Sequence, residues 1–227
     1  MKNIKLVVLD MAGTTVDEDN VVYKTVQKVI NDKGFNVSLE EVLAHGAGKE
    51  KHQAITDVLK ACTDATDIAT IAGEAFANFK PTLKLAYEQL NVKTFPGVKE
   101  MMENLRSKGV FVVLNTGYDR KTASSLLLKL GWETSKDIDG LVTADDVSNG
   151  RPQPDMIYKA MDLCNITESQ EVLKAGDSTI DIEEGKNAKC GLTVGVLTGA
   201  QNEDQLKTAA PDYILSSLAT LPEVLKG

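Results

Sequence analysis

The chain has 227 residues, of which 42% are hydrophobic and 26% charged, and these values are ordinary for a globular protein that buries a sizeable core. A formal net charge of −8 and an aromatic content of only 5% argue against a nucleic-acid-binding or membrane-surface protein. The cysteines are far apart, and the apolar run near the N-terminus is too short for a signal peptide or a membrane span. We therefore expect a cytoplasmic protein.

A carboxylate stands at the end of the first predicted strand. The run from Ile4 to Leu9 is apolar and rich in β-branched residues, which is typical of a buried strand, and Asp10 follows it directly. Gly13 allows a close turn after this strand. Thr14 and Thr15 offer hydroxyl and N–H groups that suit phosphate oxygens, so the stretch indicates either a phosphate site or an ordinary polar turn.

The segment from residue 16 to residue 94 has apolar residues at helical spacing and no pattern typical of strands. Helices are predicted over residues 21–32, 38–46, 49–61 and 67–90. Ser38 and Glu41 form a capping-box pattern at the start of the second helix, and Pro81 is expected to kink or divide the fourth. The sequence therefore predicts an all-helical cap domain over residues 16–94.

Strands and helices alternate from residue 95 onward. Strands are predicted over residues 110–114, 140–143, 171–175, 192–197 and 213–215, with helices over 97–108, 119–130, 156–163 and 180–188 and at the C-terminus. This alternation indicates an α/β fold: a Rossmann-like parallel sheet with helices on both faces. The first strand has no other partner, so residues 1–15 and 95–227 are predicted to form one catalytic core into which the cap is inserted.

Polar residues follow several of the predicted strands, and the carboxyl ends of parallel strands meet at one edge of a sheet. Asp10, Thr116, Arg151 and Asp177 with Asp181 are therefore expected to converge. This set suits phosphoryl transfer, with Asp10 attacking phosphorus while Thr116 and Arg151 hold phosphoryl oxygens. Carboxylates of Asp10 and Asp177 are suitable ligands for Mg²⁺, which would allow an anionic nucleophile to approach an anionic substrate.

These motifs resemble the haloacid dehalogenase superfamily, and within it the phosphonoacetaldehyde hydrolase (phosphonatase) branch and its phosphonatase-like relatives. The resemblance covers nearly the whole chain. It rests on four motifs, namely Asp10-Met11-Ala12-Gly13-Thr14-Thr15, Thr116-Gly117-Tyr118, Gly150-Arg151-Pro152-Gln153-Pro154 and Gly176-Asp177-Ser178-Thr179-Ile180-Asp181 with Glu184-Gly185-Lys186-Asn187-Ala188 after it.

The resemblance implies a role for each matching residue. Asp10 would be the nucleophile, and Mg²⁺ would be held by Asp10, Asp177 and the main-chain carbonyl of Ala12, with Asp181 supporting the metal site. The substrate, a small organophosphonate or phosphate ester, would be bound by the following set: Thr14, Thr15, Thr116, Gly117, Tyr118, Arg151 and His45. The cap-mediated dimers of this family also make a homodimer one of the expected assemblies.

Position 12 separates two reactions. Ordinary phosphatases of this superfamily have an aspartate two residues after the nucleophile, where it protonates the departing alkoxide. Ala12 transfers no proton, and losing such a general acid lowers a rate by roughly 10²–10⁴-fold. In the phosphonatase branch the leaving group is carbon, and a cap lysine makes it acceptable by forming a Schiff base with the substrate aldehyde.

The predicted cap contains a matching lysine. Phosphonatases show Gly, two residues, Lys, two residues and His, and this pattern is matched by Gly46, Lys49 and His52. Lys49 and His52 are expected to share one face of a helix, with His45 nearby. Attack on a carbonyl needs a neutral amine, which burial and a neighbouring cation would favour. An exposed basic helix start is the simpler interpretation of the same residues.

Three positions depart from the phosphonatase pattern: Met11 stands where Trp is frequent, Asn20 where Cys is frequent, and His45 in place of a Met. Another carbonyl-bearing phosphonate is therefore an expected substrate beside phosphonoacetaldehyde. Two other functions stay open at this point. One is a phosphate monoesterase whose general acid comes from elsewhere, and the other is a non-catalytic phosphate-binding module.

Overall fold

The computed structural model of the protein describes residues 3–47 and 49–226. Gly48, part of the motif around Lys49, lies outside the described residues. The chain forms two compact units, Met1–Asp17 with Val92–Gly227, and Glu18–Asn91. We refer to them as the larger unit and the smaller unit.

The elements of secondary structure follow one another along the whole described chain. The strands are β1 Leu6–Asp10, β2 Val16–Asp17, β3 Lys93–Thr94, β4 Phe111–Thr116, β5 Gly140–Thr143, β6 Val172–Gly176, β7 Leu192–Val196 and β8 Tyr213–Leu215. The helices are α1 Val21–Asn31, α2 Leu39–Gly46, α3 Lys51–Cys62, α4 Ile68–Gln89, α5 Val98–Ser107, α6 Arg120–Leu130, α7 Asp155–Leu163, α8 Thr179–Asn187, α9 Glu203–Thr208 and α10 Leu221–Lys226.

Six strands of the larger unit form a parallel sheet in the order β5-β4-β1-β6-β7-β8. Numbered among themselves in chain order, they lie 3-2-1-4-5-6, which is the Rossmann arrangement. The direction of winding reverses between β1 and β6, and a crevice forms at such a point outside the carboxyl ends of the strands. The predicted α/β fold class is confirmed, and Asp10 and Asp177 lie at this crevice.

The sheet is held by apolar packing. Strands β1, β6 and β7 are buried along their whole length, as expected for parallel strands covered by helices. Helix α7 packs against β1, β4 and β5, while α8 packs against β6 and β7. One cluster between sheet and helix consists of buried side chains from β1, β4, β5, β6 and α7, among them Leu6, Val8, Val113, Val142, Met156, Ile157, Ala160 and Val172.

The smaller unit consists of helices α1 to α4, as the periodicity predicts. Its second helix has the expected capping box, in which the Glu41 N–H donates to Ser38 Oγ at 3.2 Å and the Ser38 N–H donates to Glu41 Oε2 at 2.7 Å. Helix α4 runs continuously from Ile68 to Gln89 through Pro81, so of the two expected effects, a kink or a division, the division does not occur. A proline removes one donor from the helix, and the remaining turns of α4 continue without it. No helix in the described part of the chain is long and apolar enough to cross a membrane.

A short antiparallel ribbon makes the helical unit shorter than the predicted cap domain. Strands β2 and β3 pair Val16 with Thr94 and Asp17 with Lys93, so these residues belong to the larger unit. The expected boundaries at 16 and 94 therefore differ by two or three residues from the compact unit Glu18–Asn91. Two-residue strands carry no periodicity, which explains why the sequence pattern missed them.

An ion pair joins the first residue of α6 to the segment that follows β5. The Arg120 guanidinium contacts the carboxylate of Asp146 and donates to the carbonyl of Leu141 at 3.2 Å. Asp146 Oδ2 also accepts from the N–H and the hydroxyl of Thr143, at 2.7 and 2.8 Å. Partial burial raises the pKa of Asp146, but these hydrogen bonds outweigh burial and lower it to about 2. The arrangement fixes the loops that carry predicted site residues.

We expect Asp146 to contribute to acid stability. Because its folded-state pKa is lower than its ordinary value, its contribution is fully present above about pH 4 and disappears as the pH falls toward 2. Asp146→Asn should lower the free energy of unfolding by about 2 kcal/mol at pH 6, and this difference from wild type should shrink to less than about 1 kcal/mol by about pH 2.5 and vanish only below about pH 2. Urea unfolding at stepwise pH measures it. Asp204→Asn, at a side chain 96% exposed, is the control and should show no such pH-dependent difference.

Candidate active site

The end of β1 places a buried carboxylate beside a guanidinium. Asp10 is the last residue of β1 and is 4% exposed. Arg151, from the loop before α7, donates through Nη1 to Asp10 Oδ1 at 2.8 Å, and the same nitrogen contacts Asp181 Oδ1. The structure thus brings together three residues that the sequence predicted to converge. A phosphoryl group approaching Asp10 would find a forked cation already in place.

Asp177 is held in a cradle of backbone. It is 7% exposed, and its Oδ2 accepts from the N–H of Ala200 at 2.6 Å. A Cβ added at Gly13 would lie 2.5 Å from this oxygen, and one added at Gly199 would lie 2.0 Å from it. Gly13 also has a φ of +75°, which L side chains rarely adopt. The loop after β7 therefore closes on the loop after β1, with Asp177 between them, and the Thr198 hydroxyl donates to the Gly13 carbonyl at 2.6 Å.

A second layer of charged residues lies beneath these carboxylates, and sequence reasoning missed it. Lys174 of β6 is fully buried, and its Nζ lies 3.0 Å from Asp181 Oδ1 and 3.3 Å from Glu184 Oε2. It donates to Asn115 Oδ1 at 2.7 Å, and Asn115 Nδ2 donates to both carboxylate oxygens of Glu184 at 3.0 Å. One signal was available: a lysine in the otherwise apolar strand Val172–Gly176 needs buried partners.

The turn after β1 uses much of its own hydrogen-bonding capacity. The N–H groups of Thr14 and Thr15 donate to the Met11 carbonyl, and the Thr15 hydroxyl donates to the Asp10 carbonyl at 2.9 Å. The structure therefore assigns Thr15 to holding the turn. Among the described residues, the buried Thr14 hydroxyl has no hydrogen-bond partner, so it keeps its capacity to bind a ligand oxygen. Ala12 pairs with Val16 in this turn, and its carbonyl as a metal ligand stays a prediction.

The end of β4 forms another side of the site. Thr116 is the last residue of β4, is 2% exposed, and accepts through Oγ1 from the Tyr118 N–H at 3.2 Å. The Tyr118 carbonyl accepts from the Ala144 N–H at 3.1 Å. A Cβ added at Gly117 would lie 3.4 Å from Arg151 Nη2, so this backbone passes close to the guanidinium. The backbone of Thr116-Gly117-Tyr118 is thus fixed from both sides.

In the smaller unit, Lys49 lies before a helix and not on it. Helix α3 begins at Lys51 because the Glu50 side chain accepts from the Gln53 N–H at 3.0 Å and caps it. The expectation that Lys49 and His52 share a helix face is therefore wrong. His45 lies in the last turn of α2, and the His52 ring contacts the edge of Phe76 at 5.3 Å between centroids.

The Lys49 ammonium is paired with a carboxylate. Its Nζ lies 2.6 Å from Asp57 Oδ2, and Gln53 Nε2 donates to the other oxygen of Asp57 at 2.7 Å. The hydrogen bond from Lys49 is the main cause that lowers the pKa of Asp57. The Lys49 side chain is 44% exposed. The structure thus pairs Lys49 with a carboxylate, whereas the Schiff-base hypothesis needs the amine of Lys49 to be neutral when it attacks.

A family model described as haloacid dehalogenase-like hydrolase matches residues 7–195, which include β1, the loop of Arg151 and the loop of Asp177. The chain belongs to this family. The family's hydrolase activity accords with the carboxylate and guanidinium brought together at the end of β1.

Within this family, the chain is similar to several proteins named phosphonoacetaldehyde hydrolase. The chain is 28% identical to a phosphonoacetaldehyde hydrolase of Latilactobacillus sakei subsp. sakei, over 99% of this chain and 96% of the relative. It is 31% identical to a phosphonoacetaldehyde hydrolase of Bacillus cereus, over 87% of this chain and 77% of the relative. A crystal structure of a phosphonoacetaldehyde hydrolase-like protein from Oleispira antarctica is similar with a TM-score of 0.79 and 25% identity, covering 99% and 92% of the two chains.

The carboxylates of this haloacid dehalogenase-like site fit a divalent cation. Ligand atoms of Asp10, Asp177 and Asp181 lie within 4.8 Å of one another, and all three residues are buried. Burial raises the pKa of Asp177, and the neighbouring carboxylates of Asp10 and Asp181 raise it further. Such crowding of buried anions is relieved by a cation, and hard carboxylate oxygens are the ligands that Mg²⁺ prefers. Asp181 is already bonded to Lys174, Arg151 and Ser178, so Asp10 and Asp177 are the better candidates for direct ligands.

We expect the glycine at position 199 to be required for cation binding. The methyl group of Gly199→Ala would lie 2.0 Å from Asp177 Oδ2, so either that carboxylate or the loop of residue 199 must move. Mn²⁺ affinity measured by calorimetry should therefore fall by at least about 10-fold. Gly73→Ala is the matched control, because nothing lies within 4 Å of a Cβ at this position in α4. It should leave Mn²⁺ affinity unchanged and stabilise the helix by about 0.5–1 kcal/mol. Equal Mn²⁺ affinity in both variants would contradict Asp177 as a ligand.

Proposed function

We propose that the chain is a Mg²⁺-dependent phosphonatase-like hydrolase that cleaves the C–P bond of a carbonyl-bearing phosphonate such as phosphonoacetaldehyde. The observation that carries this proposal is the pairing of Asp10 with Arg151 at a strand end where position 12 holds alanine. Asp10 and Arg151 suit attack on phosphorus, while Ala12 supplies no acid for an alkoxide leaving group. The relatives named phosphonoacetaldehyde hydrolase support the same reaction class.

The phosphoryl half of the reaction belongs to the larger unit. Arg151, Thr116 and the Thr14 hydroxyl would hold phosphonate oxygens, and an Asp10 carboxylate oxygen would attack phosphorus to give an aspartyl-phosphate. Water would then hydrolyse this acyl phosphate, releasing phosphate and restoring the Asp10 carboxylate. Bound Mg²⁺, held by Asp10 and Asp177, would supply positive charge that lessens repulsion between the nucleophile and the phosphonate.

The carbon half needs an electron sink, which we assign to Lys49. Its neutral amine would condense with the aldehyde carbonyl, releasing water and forming an iminium ion. When the C–P bond breaks, its electron pair would pass into the iminium and leave an enamine on Lys49. Protonation of the enamine carbon and hydrolysis by water would release the aldehyde and the free amine. The structure suggests the acceptor for the ammonium proton, because Asp57 Oδ2 lies 2.6 Å from Lys49 Nζ. His52 would assist as a second acid or base.

One observation favours a second candidate, a phosphatase acting on a small phosphate monoester. Lys49 is half-exposed and paired with Asp57, an arrangement that suits a fixed cation as well as a nucleophilic amine. In that case Lys49 would bind an anionic group of the ester, and another acid would protonate the leaving alkoxide.

Borohydride trapping tests the role of Lys49. Incubation with phosphonoacetaldehyde and borohydride should abolish turnover and leave a reduced adduct on Lys49, located by peptide mass spectrometry. Lys49→Met should remove both the adduct and phosphate release, whereas Lys51→Met, the neighbouring lysine, should keep both. Asp10→Asn should keep the adduct but release no phosphate, because imine formation precedes attack on phosphorus. Turnover without any adduct on Lys49 would favour the monoesterase.

A substitution at position 12 distinguishes C–P bond cleavage from phosphate monoester hydrolysis. Ala12→Asp restores the acid of ordinary phosphatases and should raise kcat/KM for phosphate monoesters by at least about 10-fold, while C–P cleavage stays equal or falls. Ala12→Asn is the matched control, because it has the same size and no transferable proton, and it should show no gain. If wild type already hydrolyses a phosphate ester faster than any phosphonate, and Ala12→Asp brings no gain, the C–P proposal is wrong.

A further inference from the structure

Lys174 is a fully buried lysine on the central part of the sheet, and the proposed reaction does not use it directly. Its ammonium has three partners: Asn115 Oδ1 at 2.7 Å, Asp181 Oδ1 at 3.0 Å and Glu184 Oε2 at 3.3 Å. Each partner comes from a different part of the chain, namely β4 and the first and second turns of α8. All four side chains are at most 1% exposed.

Contacts run without a gap from Lys174 to the proposed nucleophile. Lys174 holds Asp181 Oδ1, the same oxygen contacts Arg151 Nη1, and that nitrogen donates to Asp10 Oδ1 at 2.8 Å. The other oxygen of Asp181 accepts from the Ser178 hydroxyl at 2.6 Å. Both oxygens of Asp181 are therefore fixed, and a fixed Asp181 leaves one direction for the guanidinium of Arg151.

A role confined to stability explains Lys174 less well. A well-packed apolar side chain in a buried strand is often as stabilising as a buried ion pair, since the pair must compensate the loss of hydration. Lys174 also has little room: a Cβ added at Gly185 would lie 2.9 Å from Lys174 Cβ. The aliphatic chain is thus guided past α8, and its ammonium is placed between the carboxylates and the amide. This geometry specifies where Asp181 lies.

We propose that Lys174 is a positioning residue for phosphoryl transfer, holding Asp181 so that Arg151 is aimed at the phosphoryl group bound by Asp10. This inference rests on the proposed function only as far as phosphoryl transfer at Asp10, and it holds for a phosphonate or a phosphate ester. Supporting groups of this kind, one contact removed from the reacting groups, typically change affinity or activity by 10–100-fold when they are removed.

The main test replaces the ammonium by a side chain of similar length. Lys174→Met should lower kcat by about 10–100-fold and weaken the binding of inorganic phosphate by at least about 10-fold, measured by calorimetry with Mg²⁺ present. Turnover is followed with phosphonoacetaldehyde, or with whichever phosphate ester the wild-type chain hydrolyses. Phosphate binding needs no substrate, so a failure of the C–P proposal leaves this readout intact.

A double variant separates positioning from stability. Lys174→Met leaves Glu184 without its cation, and adding Glu184→Gln removes that uncompensated charge while keeping an acceptor for Asn115. The double variant should regain thermal stability relative to the single variant, yet kcat and phosphate affinity should stay low because Asp181 is still not held.

A buried apolar neighbour provides the matched control. Leu173→Ala, at a fully buried position of β6 adjacent to Lys174, should lower the melting temperature through a cavity while folded protein keeps its kcat, KM and phosphate affinity. Recovery of wild-type kcat and phosphate affinity in the double variant would overturn the proposal, and so would a folded Lys174→Met protein with unchanged values.

Discussion

An excess of buried negative charge is the constraint on which the site of this protein depends. Four buried carboxylates, those of Asp10, Asp177, Asp181 and Glu184, lie around two cations, the buried Lys174 and the partly buried Arg151. Moving charges out of water is unfavourable unless they are paired and hydrogen-bonded, so each of these groups needs a fixed partner. The sheet provides that fixity, because parallel strands buried on both faces cannot easily shift in register. The two negative charges left over match a divalent cation.

The backbone shapes the site as much as the side chains do. Asp177 lies between Gly13 and Gly199, and neither position has room for a Cβ. Gly176 is similar, since a Cβ there would lie 2.1 Å from Asp181 Cγ. Loops from β1, β6 and β7 can therefore approach one another closely enough to crowd carboxylates that would otherwise spread apart. Close backbone approach converts three separate strand ends into one site.

The sequence predicts most of what local patterns encode. Sequence patterns located four of the six sheet strands within one or two residues and β5 and β8 without error, and the capping signals placed α2. The rule that residues after parallel strands meet at one edge of the sheet likewise identified Asp10, Arg151, Asp177 and Asp181, which the structure brings together. Helix α9 was missed although Asn202 and Gln205 form a capping box, because the helix has only six residues and too little periodicity to stand out.

The residues and positions that the sequence did not predict depend on tertiary contacts or on small differences in energy. Asn115 of β4 and Glu184 of α8 are hydrogen-bonded although they are 69 residues apart in sequence. No local sequence pattern encodes such a contact. Lys49 lies outside the helix because the Glu50 side chain, which accepts from the Gln53 N–H, caps α3 and starts it two residues later than the pattern indicates. Competing helix starts of this kind differ by about 1 kcal/mol, which is less than periodicity can resolve.

The ion pair of Lys49 with Asp57 is compatible with amine chemistry. An exposed pair of this kind contributes about 0.2–1 kcal/mol, so it is a weak restraint on either side chain. Forming a carbon–nitrogen bond requires that the ammonium first lose a proton, and a carboxylate at 2.6 Å is an acceptor in hydrogen-bond contact. Gln53 holds the other oxygen of Asp57 and keeps that acceptor in place. In the proposed reaction, the carboxylate that pairs with the resting ammonium would also accept its proton, and the lack of an acid at Ala12 is the reason why such a reaction would need the Lys49 amine.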